Sequence, residues 1–296
     1  MKWKIGKCIL IAFVVLALAN AVLNRMVFVT RLTAVSDDLP EAFAGYEIAQ
    51  LSDIHSVRSQ RQADRLVEKV EGLAPDLIAL TGDLVDSGYY SRTFGTDGEK
   101  LTLNMLARLT AIAPVYYVYG NHEMILLDDP VHNSFRTQVE ALGVTLLNNE
   151  TETIRRAGQS ISIAGIQDPA TLYKDETYGE ISGSANKTEA MLKNTLGGLR
   201  AEDFVVLLAH RPEYFELYAR SAADLVLAGH AHGGQVRLPF VGGLYAPGQG
   251  ALPEYDAGLY FEGGTVMAVS RGIGNSKFPV RVFNPPEIVA VTLERE

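Results

Sequence analysis

Strand-like and helix-like runs alternate along most of this chain, from residue 46 onward. Short apolar runs, such as residues 76–80 and 115–119, are typical of buried strands. Segments between them, such as residues 62–73, have apolar residues at helical spacing. This alternation predicts an α/β domain.

The last part of the chain differs in the length of its predicted strands and in its content of Gly and Pro. From residue 235 onward the strand-like runs are short, as at residues 265–269 and 288–293. Gly and Pro are dense over residues 238–253, which predicts a long surface loop. We therefore expect one domain over residues 46–296, preceded by a linker over residues 31–45.

Five of the six histidines stand directly after predicted strands, beside Asp, Asn or Gly; the sixth, His132, is expected at the surface. The carboxyl ends of strands in an α/β sheet meet at one rim, so groups far apart in sequence converge there. Each piece alone is a weak or moderate signal, but together they predict one site. In chain order the pieces are Asp53 with His55, Asp83, Asn121 with His122, His210, and His230 with His232.

The residue types in this pattern suit a metal site. Imidazole and carboxylate groups are ligands of hard and borderline divalent cations. The single cysteine, Cys8, lies in an N-terminal apolar run, so the chain can build neither a thiolate site nor an internal disulfide. The formal net charge of −9 argues against a nucleic-acid partner, and a bound cation is the simplest means for such a chain to bind phosphate.

In residue type and order, Asp-x-His, Gly-Asp, Gly-Asn-His-Glu, a lone His and Gly-His-x-His resemble the calcineurin-like metallophosphoesterase family. The match runs from about residue 50 to residue 235, and residues 270–272 and 283–287 resemble its single-pass, membrane-anchored bacterial branch. The resemblance implies a double β-sandwich flanked by helices. It also implies two divalent ions, and Mn²⁺, Fe²⁺ or Zn²⁺ is expected because the tyrosine ligand of purple acid phosphatases has no counterpart here.

The resemblance also implies a role for each motif residue. Asp53, His55 and His232 hold the first ion, Asn121, His210 and His230 hold the second, and Asp83 bridges the two. His122 is not a ligand but a catalytic residue that faces the leaving-group oxygen. Arg211, directly after His210, either contacts the substrate phosphate or is an ordinary surface charge.

The implied reaction is hydrolysis of a phosphodiester or pyrophosphate through in-line attack by a hydroxide that bridges the two ions. The apolar loop at residues 238–245, which follows the last motif, either packs against the domain or faces a membrane or an acyl chain. The second alternative, together with the N-terminal segment, favours a lipid- or envelope-linked substrate. Two alternatives stay open: a non-catalytic, metal-stabilised binding module, and a nuclease of the same superfamily. The presence of His122 argues against the first, and the acidic charge argues against the second.

The N-terminal segment predicts contact with a membrane. Three lysines precede an uncharged run over residues 8–24, which is near the lower limit of about 17 residues for a spanning helix. We therefore expect a single transmembrane helix within residues 1–30 that anchors the domain on the extracytoplasmic side of the cell membrane. The alternative is a secretory signal that is cleaved near Ala17-Leu18-Ala19, which would release the protein.

Overall fold

The computed structural model describes residues 2–87, 97–127, 130–169, 184–200, 202–275 and 281–296. Within these ranges, two six-stranded sheets carry most of the strands. The predicted surface position of the His132 side chain lies outside the described part.

The first sheet combines the two ends of the chain with its first half. Its strands are β1 (Phe28–Val35), β2 (Tyr46–Leu51), β3 (Leu77–Thr81), β4 (Val115–Val118), β5 (Val144–Leu146) and β16 (Glu287–Glu294). The spatial order is β1-β16-β2-β3-β4-β5. All neighbours are parallel except β16 and β2, which pair antiparallel.

The second sheet has a parallel centre and an antiparallel hairpin at each edge. Its strands are β6 (Glu150–Arg156), β7 (Gln159–Gly165), β8 (Val205–Leu208), β9 (Leu225–Ala228), β14 (Gly258–Glu262) and β15 (Thr265–Val269). The spatial order is β14-β15-β9-β8-β7-β6. Only the outer pairs, β14 with β15 and β6 with β7, are antiparallel.

Seven helices are described, and most of them cover the outer faces of the sheets. They are α1 (Lys2–Leu23), α2 (Gln60–Glu71), α3 (Asp97–Thr110), α4 (Asn121–Ile125), α5 (Pro130–Ala141), α6 (Ser184–Leu196) and α7 (Phe215–Ala219). The α2 helix begins where the Ser59 side chain accepts a hydrogen bond from the Gln62 amide. Its buried residues, among them Ala63, Leu66 and Val70, recur at helical spacing and face the first sheet.

Apolar residues fill three layers. Alternate residues of the strands point to opposite faces, so Ile48 lies between the sheets while its neighbour Ala49 faces the helices. The middle layer joins residues of both sheets, such as Ala79 and Leu227. The outer layers pack α2, α3 and α5 on one sheet and α6 and α7 on the other. This arrangement confirms the predicted α/β fold, with two mixed sheets between helices.

Two predictions about connecting segments are wrong. Residues 31–45 are not a linker, because β1 pairs with β16 along its whole length and the buried Phe43 fixes a short 3₁₀ turn after it. Residues 238–253 are not one long loop. They hold most of two small antiparallel hairpins, β10 (Arg237–Leu238) with β11 (Gly242–Gly243) and β12 (Tyr245–Ala246) with β13 (Gly250–Ala251).

The N-terminal helix α1 is tied to the domain at its C-terminal end, where the Asn20 and Asn24 side chains donate hydrogen bonds to the Arg281 carbonyl. The sequence predicts a transmembrane helix in this region. Across the described residues, no helix combines the length and the apolar character that a bilayer span requires.

Candidate dimetal centre

The predicted site residues converge at one end of the sandwich, where strands of both sheets finish. Asp53 and His55 follow β2, Asp83 follows β3, and Asn121 and His122 open α4 after β4. On the second sheet, His210 follows β8, and the pair His230 and His232 follows β9. All eight residues are buried. The rim predicted from the sequence is therefore present, with contributions from both layers.

The backbone turns sharply at five of these residues. Asp53, His55, Asp83, His230 and His232 have φ between 49° and 63°, in the left-handed region. Few non-glycine residues adopt this conformation, although Asn, Asp and His do so more often than others. Such strain gathers at functional sites, where the surrounding structure holds it in place. Here each turn directs a polar side chain toward the same centre.

Asp53, His55 and His232 form the first cluster of potential ligands. The Nε2 atoms of His55 and His232 lie 3.1 Å apart, and His232 Nε2 lies 3.4 Å from Asp53 Oδ1. Ligand atoms about 2.1 Å from one ion have separations of this size. Burial lowers the pKa of both His55 and His232 to about 3, so both rings are neutral, as metal ligation requires.

Asp83, His210 and His230 form the second cluster. His210 Nδ1 donates to the Thr81 carbonyl at 2.7 Å, because a carbonyl only accepts; the neutral ring then has its lone pair on Nε2. That Nε2 lies 3.4 Å from Asp83 Oδ2. Burial lowers the pKa of His210, but the Asp83 carboxylate outweighs burial and raises it to about 10. The negative charge of Asp83 beside this ring therefore favours a bound cation.

Asp83 belongs to the second cluster and also faces the first. It also belongs to a group with His55 and His122, and its Oδ2 atom is 3.8 Å from His55 Nε2. Burial raises the pKa of Asp83, but His210 and His122 outweigh burial and hold it well below its usual range. An ionised carboxylate thus stands where the resemblance expects a bridging ligand.

Several buried polar atoms of the site fit an ion better than a protein partner. Within the described part of the chain, Asn121 Oδ1, His210 Nε2 and His230 Nε2 are buried and make no hydrogen bond. An unpaired buried polar group costs about 1–3 kcal/mol. Divalent cations bind this donor set of imidazole nitrogen, carboxylate oxygen and amide oxygen, so the residues fit the expected ions.

His122 presents a proton toward the centre. The Ser87 amide donates to His122 Nδ1 at 2.9 Å, and since an amide only donates, the proton of the neutral ring is on Nε2. His122 Nε2 lies 3.9 Å from Asp83 Oδ2, and the ring packs edge-on against His55 with 4.7 Å between centroids. The geometry thus gives His122 a hydrogen-bond donor beside the predicted ligands.

Two residues that hold this arrangement are absent from the set predicted from the sequence. The buried Glu123 accepts hydrogen bonds from the backbone amides of Asp83, Val85 and Gly120 at 2.8–3.0 Å, and so joins the ends of β3 and β4. Its place in Gly-Asn-His-Glu is a signal for this role. Asn284, which donates to the His232 carbonyl at 2.7 Å, lies in the stretch 283–287 that the resemblance includes, but the resemblance assigns it no role.

Arg211 is not an ordinary surface charge, because its side chain is buried. Its Nε atom lies 2.7 Å from Asp168 Oδ2, and Nη1 lies 3.3 Å from Glu213 Oε1. Burial lowers the pKa of Arg211, but these two carboxylates outweigh burial and raise it. Arg211 also lines a cavity of about 620 Å³ together with Tyr214 and Tyr255. Contact between Arg211 and a substrate phosphate stays a prediction.

The model of the calcineurin-like phosphoesterase family matches residues 46–234. The metallophosphoesterase YkuE of Bacillus subtilis is 30% identical over 273 residues, which cover 91% of this chain and 86% of that protein. The phosphodiesterase YaeI of Escherichia coli is 28% identical over 255 residues, which cover 84% of this chain and 83% of that protein. The solved structure of TT1561 of Thermus thermophilus aligns with a TM-score of 0.46 at 16% identity, covering 77% of this chain and 90% of that one.

This chain belongs to the calcineurin-like phosphoesterase family. It is a metal-dependent phosphoesterase whose buried His and Asp clusters are intact.

Proposed function

We propose that this phosphoesterase hydrolyses phosphodiesters at a centre of two divalent ions. The observation that carries the proposal is the position of Asp83, between the Asp53–His55–His232 cluster and the His210–His230 pair. The name of one relative, the phosphodiesterase YaeI, supports a diester substrate. Mn²⁺, Fe²⁺ and Zn²⁺ all suit the donor set.

Two sets of side chains provide the ligands for the two proposed ions. Asp53, His55 and His232 would hold one ion, Asn121, His210 and His230 would hold the other, and Asp83 would reach both. Two such ions, when bound, polarise the phosphoryl oxygens and lower the pKa of a water molecule. Glu123 accepts a hydrogen bond from the Asp83 amide and so helps to hold the backbone from which this carboxylate would reach both ions.

His122 acts on the leaving group. Its Nε2–H donates to the oxygen that departs from phosphorus, and the fixed Ser87 amide prevents the ring from turning away. A positioned donor of this kind contributes about 10²–10⁴ to the rate.

We also propose that the substrate is amphiphilic, with its phosphodiester linked to a lipid or to the cell envelope. The hairpin β10–β11 follows His232 directly, and Leu238, Phe240 and Val241 at its tip are exposed. Apolar side chains of α1, such as Leu10 and Leu18, are exposed as well. Exposed apolar groups near a site support an apolar partner. Attachment of the enzyme to the outer face of a membrane is part of this proposal and rests on the N-terminal sequence.

The first experiment tests the reaction. The full-length protein, stripped of metal with a chelator, is given Mn²⁺, Fe²⁺ or Zn²⁺ singly and assayed on bis-(p-nitrophenyl) phosphate and on p-nitrophenyl phosphate. We expect metal-restored cleavage of the diester, absent in Asp83→Asn and retained in the control Asp203→Asn, whose carboxylate pairs with the exposed Arg200. Two bound metal ions without diester cleavage, or a preference for the monoester, would refute the phosphodiesterase proposal.

A second experiment tests the substrate class. A phosphodiester lipid in mixed micelles is compared with the soluble diester for the wild type and for Phe240→Ser with Val241→Ser. We expect KM to rise for the micellar substrate alone. Equal KM values for both proteins on the micellar substrate would contradict an apolar contact at this hairpin.

A further inference from the structure

A recess of about 200 Å³ opens where the C-terminal end of α1 meets the first turn of α2. Arg25, Arg61 and Arg65 line it, and among the described residues no Asp or Glu does so. Its volume is several times the roughly 30 Å³ that one water molecule occupies in the liquid. The recess is therefore large enough for a group of several heavy atoms, and its lining is cationic.

These three arginines differ from most others in the described chain, because they have no carboxylate partner. Most of the others lie beside an Asp or Glu, as Arg108 Nη1 does at 2.7 Å from Asp64 Oδ1. Arg65 donates to the Arg25 carbonyl at 2.8 Å, and the Arg25 and Arg61 guanidinium groups contact no acceptor of the described residues. On a chain with a formal net charge of −9, this recess is a local region of positive potential.

The lining of the recess fits a phosphate that is joined to carbon chains. A planar guanidinium donates two parallel hydrogen bonds to phosphate oxygens, which gives arginine its preference for this group. Val27, Ile273 and Pro286 line the same recess and add apolar surface beside the three charges. The headgroup of an anionic phospholipid combines both features, since its phosphate is esterified to glycerol.

The recess lies at the end of α1 that is tied to the domain. The Asn20 and Asn24 side chains donate to the Arg281 carbonyl there, and Val22 and Met26 beside them are 58% and 49% exposed. Basic side chains at the end of an apolar helix typically lie at the level of the lipid headgroups. If α1 contacts a membrane, the three arginines therefore lie where anionic headgroups are found.

The recess also adjoins the loop that carries the first cluster of predicted ligands. The Ile273 amide, in the lining, donates to the Ser52 carbonyl at 3.1 Å, and the next amide, that of Gly274, donates to the Asp53 carbonyl at 2.6 Å. A lipid held in the recess would thus keep the dimetal centre close to the surface of the bilayer.

We infer that this recess binds the phosphate headgroup of an anionic phospholipid through Arg25, Arg61 and Arg65, and so holds the catalytic domain against the membrane. The inference rests on the proposed membrane attachment and is independent of the proposed reaction. It commits to a lipid rather than to a free anion, because apolar side chains line the recess and are exposed along α1.

The test counts the lipids bound to the full-length protein, purified in a neutral detergent, by native mass spectrometry. Phosphatidylglycerol, which is anionic, is compared with zwitterionic phosphatidylcholine. Arg25→Gln with Arg61→Gln removes two guanidinium groups that have no partner in the described chain, so the fold should be kept. Arg155→Gln with Lys193→Gln is the matched control, because it removes the same charge at exposed positions on β6 and α6.

We expect the wild type to bind one phosphatidylglycerol in preference to phosphatidylcholine. A basic residue beside an anionic membrane surface contributes about fivefold to binding. The double Arg variant should therefore lose about 25-fold of this preference, and the control should stay within about twofold of wild type. Asp83→Asn should keep the lipid, since the recess does not include the dimetal centre.

Equal lipid preference in the wild type and the double Arg variant would overturn the inference. An equal loss in the control would also overturn it, because it indicates general charge attraction. Complete displacement of the lipid by an equal concentration of inorganic phosphate would assign the recess to a free anion instead. Lipid that is lost from Asp83→Asn but kept by the double Arg variant would lie at the dimetal centre, which contradicts the recess without contradicting the proposed reaction.

Discussion

Gly229, directly after β9, packs against the first cluster of ligands so closely that a single added carbon atom must displace them. A Cβ atom at this position would stand 1.9 Å from Ser52 Oγ and 2.5 Å from Asp53 Oδ2. Unbonded heavy atoms approach to about 3.5 Å, so Gly229→Ala requires a movement of about 1 Å or more. The backbone of Gly229 itself is not in a left-handed conformation, so steric overlap alone carries the effect.

The movement falls on a hydrogen-bonded network. Ser52 Oγ donates to Asp53 Oδ2 at 2.6 Å, and the same carboxylate accepts from the His230 amide at 3.1 Å. Overpacking of a buried site costs about 1–3 kcal/mol of stability. A displacement of about 1 Å at a catalytic centre costs about 100-fold in rate. We therefore expect Gly229→Ala to fold with reduced stability and to lose about 100-fold in kcat/KM.

The assay measures urea unfolding of the metal-free protein and kcat/KM for bis-(p-nitrophenyl) phosphate at saturating Mn²⁺. Gly264→Ala is the control, because its new Cβ atom meets nothing within 4 Å. Ser52→Ala added to Gly229→Ala should recover part of the activity, since Ser52 Oγ is the nearest obstacle. Gly229→Ala that behaves like Gly264→Ala in both measurements would show that the ligands are not fixed by this packing.

Three further substitutions separate ligation, catalysis and support. His122→Ala should keep both metal ions, as measured by elemental analysis, and lower kcat by about 10²–10⁴; loss of metal would show that His122 is a ligand. Arg211→Met removes the arginine that pairs with the buried carboxylate of Asp168. It should lower the free energy of unfolding, measured in urea, by about 3 kcal/mol. A decrease below about 1 kcal/mol would contradict the buried pair. Glu123→Gln should make the stability of the metal-free protein less dependent on pH. The pKa of Glu123 is raised from 4.5 to about 7, mainly by burial and by Asp83, so its stabilising contribution is complete below pH 4.5 and is lost as pH rises to about 7. The urea midpoint should therefore fall more between pH 5 and pH 8 for wild type than for Glu123→Gln, and equal falls would contradict the shift.

The predictable parts of this molecule are those in which local sequence and tertiary structure agree. The strand at residues 77–81 is a short apolar run because both of its faces are buried, and Asp83 follows it because strand ends form the rim. The five motif pieces can be joined into one site from the sequence alone, since the topology of α/β sheets brings their positions together.

The parts that the sequence does not predict depend on distant partners. The pairing of β1 with β16 is not predictable from local sequence, since Thr30 and Glu287, which form a hydrogen bond across this pair, are 257 positions apart. The burial of Arg281 cannot be predicted from the sequence, because its partners are mostly backbone carbonyls, which any residue carries. The burial of Arg211 is not evident from its neighbours in sequence, since Asp168 lies 43 positions away.

The pairing of β1 with β16 also bears on how the chain is made. Strand β16 lies between β1 and β2, so the first sheet stays split until β16 has been synthesised. Until then, β2 exposes an unpaired edge and β1 has no neighbour in the sheet. Such edges invite pairing with other chains, and contacts of this sequence separation form slowly. We expect the nascent protein to need protection during synthesis, and removal of β16 to leave β1 without a partner strand in the sheet.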